Sequence, residues 1–498
     1  MSPVIRSAFF WLLTAIFLIT SPVFIFFLMG YRYSIERGVF VYTGSISVSS
    51  NPASGIDIRV DGEPVSAKAN QMNRSFHIEG IKPGQHTLSV SAPGFTSWRK
   101  NISVHSGLST EFWNVLLARE QYGRSNTPFP EGSLDFFSSP NGIDFLIPIE
   151  NNGEFTLLLF SSDTGTSRQI FSSLQFTIDQ SSPDIRPEWS TENESIILMP
   201  LLSRETGQLH TFLIDIDTME TTDLKDILPE EARETIRSIH WSPNEYALLA
   251  LSGTKLFQVA LAPPFAIRTI SDTAGAYNTL GSSAIVLEHD TGILSEIPLK
   301  NPDNRRQITT AAPEDSVGNS TASFSVVPYD KTRIVLLNAK NGDLFLYNKG
   351  ESKEWFSRLP GEVRGTQFSD DGKKLLYWTD WEIFTVFTRK WEVQPMRKEG
   401  DRLDIGRFSE KISSVQWAKD YEHALFLVNR DIRVTELDDR GGRNTATVIS
   451  LPDVPKRVSV FGNQNKIFSL FNENGDAARP TLSSITFPEP TSLFGFGR

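Results

Sequence analysis

Cysteine is absent from the 498 residues of this chain. The absence excludes a disulfide scaffold, a thiol nucleophile and any metal site with a cysteine ligand. Histidine is scarce as well, with seven residues of which no two lie three to five positions apart. The local spacing of a histidine metal site is therefore missing. A cysteine-free chain is compatible with an oxidising, extracytoplasmic location.

Motifs that carry catalytic chemistry are missing too. The sequence contains no Gly-x-Ser-x-Gly elbow, no His-Glu-x-x-His pair and no phosphate-binding P-loop. Its 48 basic and 59 acidic residues give a net charge of −11, which argues against nucleic acid as a partner because phosphates require a basic surface. We therefore predict no catalytic residue, no cofactor, no metal and no nucleic-acid partner.

One acidic cluster has the density of a metal site but not its pattern. Asp215, Asp217, Glu220 and Asp223 follow one another closely. The segment lacks the glycine and the closing glutamate of a calcium-binding loop. We predict a solvated turn rather than a metal site.

A single long apolar run stands at the N-terminus. Residues 8–30 are 23 residues without a charge, enough to cross a hydrocarbon core of about 30 Å. A cleaved signal peptide is the alternative, but its apolar region is usually shorter and ends in small residues. We predict a short tail over residues 1–7 and an uncleaved membrane anchor over residues 8–30. Trp11 at one end and Tyr31 and Tyr33 at the other fit interfacial aromatic belts.

Residues 38–119 predict a small β-sandwich. Alternating runs such as Ile56–Val60 and His86–Ser91 have the period of strands. Asp61-Gly62, Pro83-Gly84 and Pro93-Gly94 supply turns between them. Six or seven strands fit this stretch.

The same stretch resembles the PEGA domain, a bacterial surface-associated β-sandwich. Val60-Asp61-Gly62, the run from Gly80 to Leu88 and the run from Ala92 to Trp98 match the family pattern. The name-giving turn is degenerate at Asn51–Ile56, with one extra residue and Ile where Ala is usual. The resemblance implies an extracytoplasmic module for envelope attachment or interaction, without catalysis. We predict that His86 satisfies a turn and that Trp98 fills the core.

Residues 120–498 contain an internal repeat of an aromatic residue, a small residue, a polar turn and an aliphatic run. Eight copies follow one another about 40 to 50 residues apart, a spacing typical of four-stranded propeller blades. They start near Phe137, Trp189, Trp241, Leu280, Val327, Phe368, Trp417 and Phe461. Eight blades are favoured and seven remain possible, because the copies near Gly281 and Phe461 are degenerate.

The turns of this repeat resemble those of TolB-like, WD-repeat-like bacterial β-propellers. Trp241-Ser242-Pro243-Asn244 and the run from Phe368 to Gly372 carry the resemblance. We predict that Trp189, Trp241, Phe368 and Trp417 occupy equivalent, largely buried blade positions, since each precedes the polar turn in the same register.

Three further tryptophans are the candidate binding residues. Trp378, Trp381 and Trp391 fall within 14 residues of one another. An exposed aromatic group of this kind would stack on sugar faces and bind a glycan. Packing between blades is the alternative, and it requires no ligand.

The sequence therefore predicts an all-β chain with an N-terminal transmembrane helix, a PEGA-like β-sandwich and a β-propeller. Its predicted function is a single-pass cell-membrane protein, mostly extracytoplasmic, that displays the propeller to an envelope protein or cell-wall glycan. One alternative is a propeller enzyme, a lyase or glycosidase with facing carboxylates in the central channel. Another is a signal receptor that acts through a membrane partner. The oligomeric state stays open.

Overall fold

The N-terminal segment of the computed structural model is one long helix. The structure describes residues 3–34, 38–70, 75–179, 186–190, 195–228, 230–233, 236–243, 245–262, 266–313, 316–350, 354–461, 465–476 and 479–488. Helix α1 (Pro3–Leu28) starts five residues before the predicted anchor and ends two residues earlier. Its stretch Phe9–Leu28 has a mean hydropathy of 2.3 and no buried residue. α1 is long and apolar enough to cross a membrane, a criterion that signal sequences near an N-terminus also meet.

A two-stranded hairpin joins the helix to the first domain. Strand β1 (Tyr31–Ser34) pairs antiparallel with β2 (Val39–Tyr42), and Tyr31 lies opposite Tyr42. Gly30 has φ +89° between the helix and β1, a conformation that favours glycine and ends the helix.

Residues 44–116 form a sandwich of two four-stranded sheets. The strands are β3 (Gly44–Asn51), β4 (Asp57–Val60), β5 (Glu63–Pro64), β6 (Lys68–Asn70), β7 (Ser75–Ile81), β8 (Gly84–Ser91), β9 (Trp98–Val104) and β10 (Ser109–Leu116). Their order is β10-β3-β7-β6 in one sheet and β5-β4-β8-β9 in the other, with β10 and β3 parallel. Ile46, Leu88, Val90 and Trp98 are among the residues of its buried core. β9 and β10 are edge strands of the two sheets.

The described part of residues 125–486 forms eight further sheets. The strands are β11 (Ser125–Pro128), β12 (Phe137–Ser138), β13 (Asp144–Asn151), β14 (Glu154–Ser161), β15 (Thr166–Ser173), β16 (Phe176–Thr177), β17 (Glu188–Trp189), β18 (Ile196–Ser203), β19 (Leu209–Asp215), β20 (Thr221–Asp223), β21 (Ile236–Trp241), β22 (Ala247–Ser252), β23 (Lys255–Ala260), β24 (Ile267–Ser271), β25 (Ala274–Leu280), β26 (Ser283–Glu288), β27 (Leu294–Pro298), β28 (Arg306–Gln307), β29 (Phe324–Asp330), β30 (Arg333–Asn338), β31 (Leu344–Lys349), β32 (Glu354–Leu359), β33 (Gly365–Phe368), β34 (Lys374–Trp378), β35 (Glu382–Phe387), β36 (Arg402–Arg407), β37 (Ile412–Trp417), β38 (His423–Val428), β39 (Asp431–Glu436), β40 (Thr445–Ser450), β41 (Arg457–Phe461), β42 (Lys466–Asn472) and β43 (Pro480–Thr486). Two one-turn helices, α2 (Leu224–Ile227) and α3 (Glu230–Arg233), follow β20.

These sheets form a β-propeller, with the chain running through each sheet strand by strand. We number them in chain order: sheet 1 is β12–β15, sheet 2 is β16–β20, sheets 3 to 7 take four strands each, and sheet 8 is β41–β43. β11 pairs with β43, so the start of the propeller supplies the outer strand of sheet 8. One apolar cluster joins sheets 1 and 2, and another joins sheets 8 and 1 through Phe468 and Phe145. The ring thus closes on itself, and the eight described sheets favour eight blades over seven.

The repeated aromatic residue ends the first strand of its sheet. Trp241 lies opposite Leu248, Phe368 opposite Leu375 and Trp417 opposite Ala424. Trp189 is also the last residue of its strand, opposite Ile197, and its polar turn at 191–194 lies outside the described residues. The prediction of equivalent positions is therefore confirmed for these four copies.

One detail of the predicted register is wrong. Trp241 and Trp417 are fully buried, and Trp189 and Phe368 are largely buried with a partly exposed edge. In the first copy Ser138, not Phe137, holds the equivalent position, because Ser138 pairs with Phe145 just before the turn. A phenylalanine one residue earlier points to the other face of the strand.

A buried serine explains why the polar turn recurs. In sheet 6, Ser369 Oγ donates to Asp371 Oδ1 at 2.7 Å and accepts from Lys374 N at 3.0 Å. In sheet 1, Ser139 Oγ makes the equivalent bond to Asn141 Oδ1 at 2.6 Å. The serine and the acid or amide two residues later satisfy the turn's own polar groups. The motif is thus a folding signal and carries no chemistry of its own.

Candidate functional site

The first strands of the sheets surround a central channel. Residues of β17, β21, β25 and β29, the innermost strands of four successive sheets, line one cavity of about 430 Å³. A second cavity of about 510 Å³ lies where the first strands end, beside Trp189 and Trp241. Glu188, His240 and Asn278 line both cavities, which makes them one continuous site.

An acid–histidine pair stands between the two cavities. His240 Nδ1 and Glu188 Oε1 are 2.5 Å apart, and more than a third of each side chain is exposed. The ring of Tyr277 lies edge-on to His240 at 5.6 Å. The Tyr277 hydroxyl donates to Leu249 O at 2.6 Å, and burial strongly raises the pKa of Tyr277. Tyr277 therefore packs against the histidine ring and keeps its hydroxyl proton at neutral pH.

Two donors of the site have no hydrogen-bond partner among the described residues. They are the buried Nε of Arg237 and the buried indole Nε1 of Trp189. Arg237 also donates from Nη2 to the carbonyl oxygen of Gly253, and burial lowers the pKa of Arg237. Both donor atoms are shielded from solvent, so the polar groups that the site exposes are Glu188 and His240.

The facing carboxylates of the enzyme alternative do not occur among the described residues that line these cavities. Glu188 is the one carboxylate there, and its partner is a histidine. The described residues also contain no group of three histidine, aspartate or glutamate side chains placed to hold a metal ion. Asp215 accepts from the backbone N–H groups of Asp217 and Thr218, as a turn residue does.

The structure does not bring Trp378, Trp381 and Trp391 together. Trp378 ends β34 and packs, half-buried, against the core between sheets 6 and 7. Trp381 lies in the next turn and is 47% exposed. Trp391 lies in the β35–β36 loop, with its ring centroid 4.1 Å from Lys374 Nζ at the other end of β34. The length of that strand, about 13 Å, separates Trp391 from the other two.

Trp391 instead marks a junction between the propeller and the sandwich. Beneath it, the buried Lys374 pairs with Glu422. A neighbouring cavity of about 30 Å³ is lined by Trp391, Glu422 and residues of the sandwich including Trp98. That volume holds no more than about two water molecules, so the junction is closely packed beside Trp391. A larger cavity of about 260 Å³ lies elsewhere between the domains, lined by Trp113 of the sandwich and Lys419 of the propeller among others.

The centre of the junction is a buried ion pair between the domains. Lys100 of β9 has no exposed side-chain surface, and its Nζ lies 2.9 Å from Oε1 of Glu436, which is 5% exposed. Lys100 also donates to the backbone oxygen of Asp438 at 2.6 Å. Trp98 Nε1 donates to the other Glu436 oxygen at 2.9 Å. Both glutamate oxygens are therefore satisfied from the sandwich, as a buried carboxylate requires.

The propeller also covers the open edge of the sandwich. Gln394 accepts from Glu111 N at 3.1 Å and donates to Ser109 O at 3.0 Å, so its amide pairs with the edge strand β10. Arg440 donates to Glu111 O at 2.7 Å and lies 4.2 Å over the Phe112 ring. A free edge strand is an aggregation hazard. The contacts of Gln394 and Arg440 cover the edge strand, which removes the hazard, and they hold the two domains together.

Close approach at the junction requires a glycine. Gly441 has φ +65°, and a Cβ at this position would lie 1.9 Å from Asn101 O. The β39–β40 connection thus lies directly against β9.

Buried charge at the junction shifts several protonation equilibria. Burial lowers the pKa of His423, but Asp420 at 2.7 Å and the carboxylates of Glu436 and Glu422 outweigh it and raise that pKa. Burial raises the pKa of Glu422 against the opposing charge of Lys374. Burial would likewise raise the pKa of Asp438, but Arg440 and Lys100 hold it below its ordinary value.

The sequence contained one signal of this junction. Trp98, Lys100, Ile102 and Val104 alternate on the inward face of β9, and a lysine in that register requires a buried acid. The predicted roles of the other sandwich residues hold. Trp98 lies in the core, and His86 joins two turns through Asp61 Oδ2 and Lys82 O, each at 2.7 Å.

Residues 43–119 match the PEGA domain family. Comparison with curated proteins finds no match. Among solved structures, the chain is similar to the Cps50 (Swd1) β-propeller domain of Myceliophteria thermophila at 11% identity, covering 74% of this chain and 99% of that one with a TM-score of 0.41. The Dos1 propeller is similar at 10% identity over 75% and 96%, TM-score 0.47. A candidate 6-phosphogluconolactonase of Bacteroides fragilis is similar at 8% identity over 67% and 89%, TM-score 0.35.

A PEGA domain joined to a β-propeller indicates a binding or scaffold role. The channel and the junction contribute to that role in different ways. The channel presents open polar groups, and the junction holds the propeller in one orientation on the sandwich.

Proposed function

We propose that this chain is a single-pass membrane protein that holds its propeller outside the cytoplasm and binds an envelope protein there. The carrying observation is the buried Lys100–Glu436 pair, which links the propeller to a sandwich that the β1–β2 hairpin joins to the apolar helix α1. The propeller is thereby held by direct contact on the domain next to the anchor. The role is non-enzymatic.

The proposed contact site is the channel mouth beside Trp189 and Trp241. The turns between first and second strands lie on one face of the ring, so this mouth shares a face with the sandwich. The sandwich contacts sheets 6 to 8, whereas the mouth belongs to sheets 1 to 4. An envelope protein is favoured over cell-wall glycan because Trp391 lies a strand's length from Trp378 and Trp381, so the three tryptophans form no common stacking surface.

Two measurements test this function. The chain has no cysteine, so Val454→Cys places one thiol on the propeller, at an exposed position. Labelling of intact cells by a membrane-impermeant maleimide is expected, and labelling only after lysis would contradict the location. Intact mass decides whether residues 8–30 stay attached.

A photo-crosslinking residue tests the binding site in intact cells. The exposed Pro140 lies beside the mouth, and the exposed Leu174 lies on sheet 1 away from it. Crosslinking to an envelope protein from position 140 but not from position 174 is expected. Equal crosslinking from both positions would contradict the proposed site.

A further inference from the structure

The hairpin between the helix and the sandwich carries an exposed aromatic surface. Tyr31 pairs with Tyr42, and Tyr33 pairs with Phe40. The rings of each pair are in contact, at 5.1 and 5.4 Å between centroids. Phe26 of α1 extends the group, 5.5 Å from Tyr31 and 5.8 Å from Phe40. We name these five residues the aromatic collar.

The collar is open to solvent. Phe26, Tyr33, Phe40 and Tyr42 all have more than two fifths of their surface exposed. Their rings are joined by direct contacts, so they form one apolar surface. An exposed contiguous apolar surface of this kind indicates an occupant.

The collar is fixed in place relative to both neighbours. The ring of Tyr42 fits between Gly30 and Gly107, where a Cβ would lie 3.0 and 2.6 Å from its carbons. Arg32, on the opposite face of the hairpin, lies 3.5 Å over the Phe27 ring and donates to Phe27 O at 2.9 Å. The hairpin therefore continues the helix rigidly.

We propose that the aromatic collar lies in the headgroup layer of the membrane and holds the sandwich against the bilayer surface. This inference rests on the proposed membrane anchor. The collar is continuous with an apolar helix of which no residue is buried. Tyrosine rings with terminal hydroxyls, together with an arginine at the helix end, are the groups that the interfacial layer favours. A protein partner would leave this continuity with the helix unexplained.

Single-cysteine variants of the full chain in vesicles of phosphatidylcholine and phosphatidylglycerol test the collar. Tyr33→Cys and Phe40→Cys carry nitroxide labels at the collar, and Ile19→Cys carries one in the middle of α1. Leu174→Cys and Val454→Cys are matched controls, since both are exposed apolar residues on the propeller. Collisions of each label with oxygen, which enters lipid, and with a water-soluble nickel chelate are compared.

For the collar labels, the ratio of oxygen collisions to nickel-chelate collisions is expected to be several-fold higher than for both propeller controls. It is expected to be closer to the ratio of the Ile19 label than to that of the controls. A collar ratio equal to the controls, with Ile19 still in lipid, would overturn the collar and leave the anchor intact. Collar labels that neither reagent reaches would mean that a protein covers the collar, and this result would also overturn the proposal. A nickel-accessible Ile19 label would contradict the anchor itself, and the collar with it.

Discussion

The domain junction and the propeller channel treat polar groups in opposite ways. At the junction, Lys100 and Glu436 are buried and fully paired across two domains. In the channel, Glu188 and His240 also pair with each other, but more than a third of each side chain stays exposed. The junction groups fix an orientation, whereas the channel groups remain accessible to a ligand. Burial, rather than pairing, therefore distinguishes the junction charges from the channel charges in this chain.

Removing the charge at the junction gives the largest expected effect. Lys100→Ala leaves Glu436 buried without its cation, which typically costs about 3–5 kcal/mol. The matched control is Lys68→Ala, whose pair with Glu79 is exposed and whose loss is expected to leave stability unchanged. Denaturant unfolding of the detergent-solubilised chain measures both. Equal midpoints for the two variants would contradict the structural role of the junction.

Trp241→Ala tests the blade register. Trp241 is buried between sheets 2 and 3, and a buried aromatic replaced by alanine costs about 3–5 kcal/mol. Trp381→Ala is the comparison, because Trp381 is exposed and expected to contribute little. Trp391 is unsuitable as an exposed control, since it packs on Lys374. A greater loss of stability for Trp381→Ala would overturn the register.

The sequence predicted the repeat because its signal is local. Aromatic residue, serine and acid within a few positions form the turn itself, as at Ser369 and Asp371. The shift from Phe137 to Ser138 was missed because a phenylalanine fits either face of a strand edge. The separation of Trp378 from Trp391 was missed because closeness in sequence does not report the strand between them. The Lys100–Glu436 contact spans 336 positions, so the alternation of β9 indicates that a buried acid is needed but not which residue supplies it.

Two adjacent glycines at the junction, Gly441 and Gly442, allow a comparison in which the expected loss of stability is smaller. Gly441→Ala places a Cβ against Asn101 O, so overpacking of about 1–3 kcal/mol is expected. Gly442→Ala also stands at a positive φ, +96°, but has no atom within 4 Å of the new Cβ, so it shows the cost of a strained backbone without overlap. Thermal unfolding of both variants gives the difference. No difference would mean that the β39–β40 connection does not lie against β9.

The junction should also respond to pH. His423 has a raised pKa in the folded chain, so its stabilising contribution is complete below the unfolded value of 6.5 and is lost as the pH rises through the folded value. The free energy of unfolding is therefore expected to fall as the pH rises through the folded pKa of His423. His423→Gln should flatten this part of the profile of unfolding midpoint against pH. An unchanged slope in the variant would assign the dependence to other groups.

Channel substitutions are expected to have the smallest effect on stability and the largest on binding. Glu188→Gln removes a partly exposed charge, which changes stability by about 1 kcal/mol or less. The same variant is expected to lose crosslinking from position 140. Unfolding midpoint and crosslinking yield are measured on the same preparation. A destabilised variant with full crosslinking would reverse the roles assigned to channel and junction.

The rigidity of the junction is tested most directly by a distance between the two domains. Lys82 on the sandwich and Val454 on the propeller are both exposed, and the cysteine-free chain allows a nitroxide at each. Pulsed electron–electron double resonance measures the distance between the two nitroxides of the Lys82→Cys, Val454→Cys chain in vesicles. We predict one narrow distance distribution, which broadens when Lys100→Ala is added. A broad distribution with Lys100 in place would contradict the rigid mounting of the propeller.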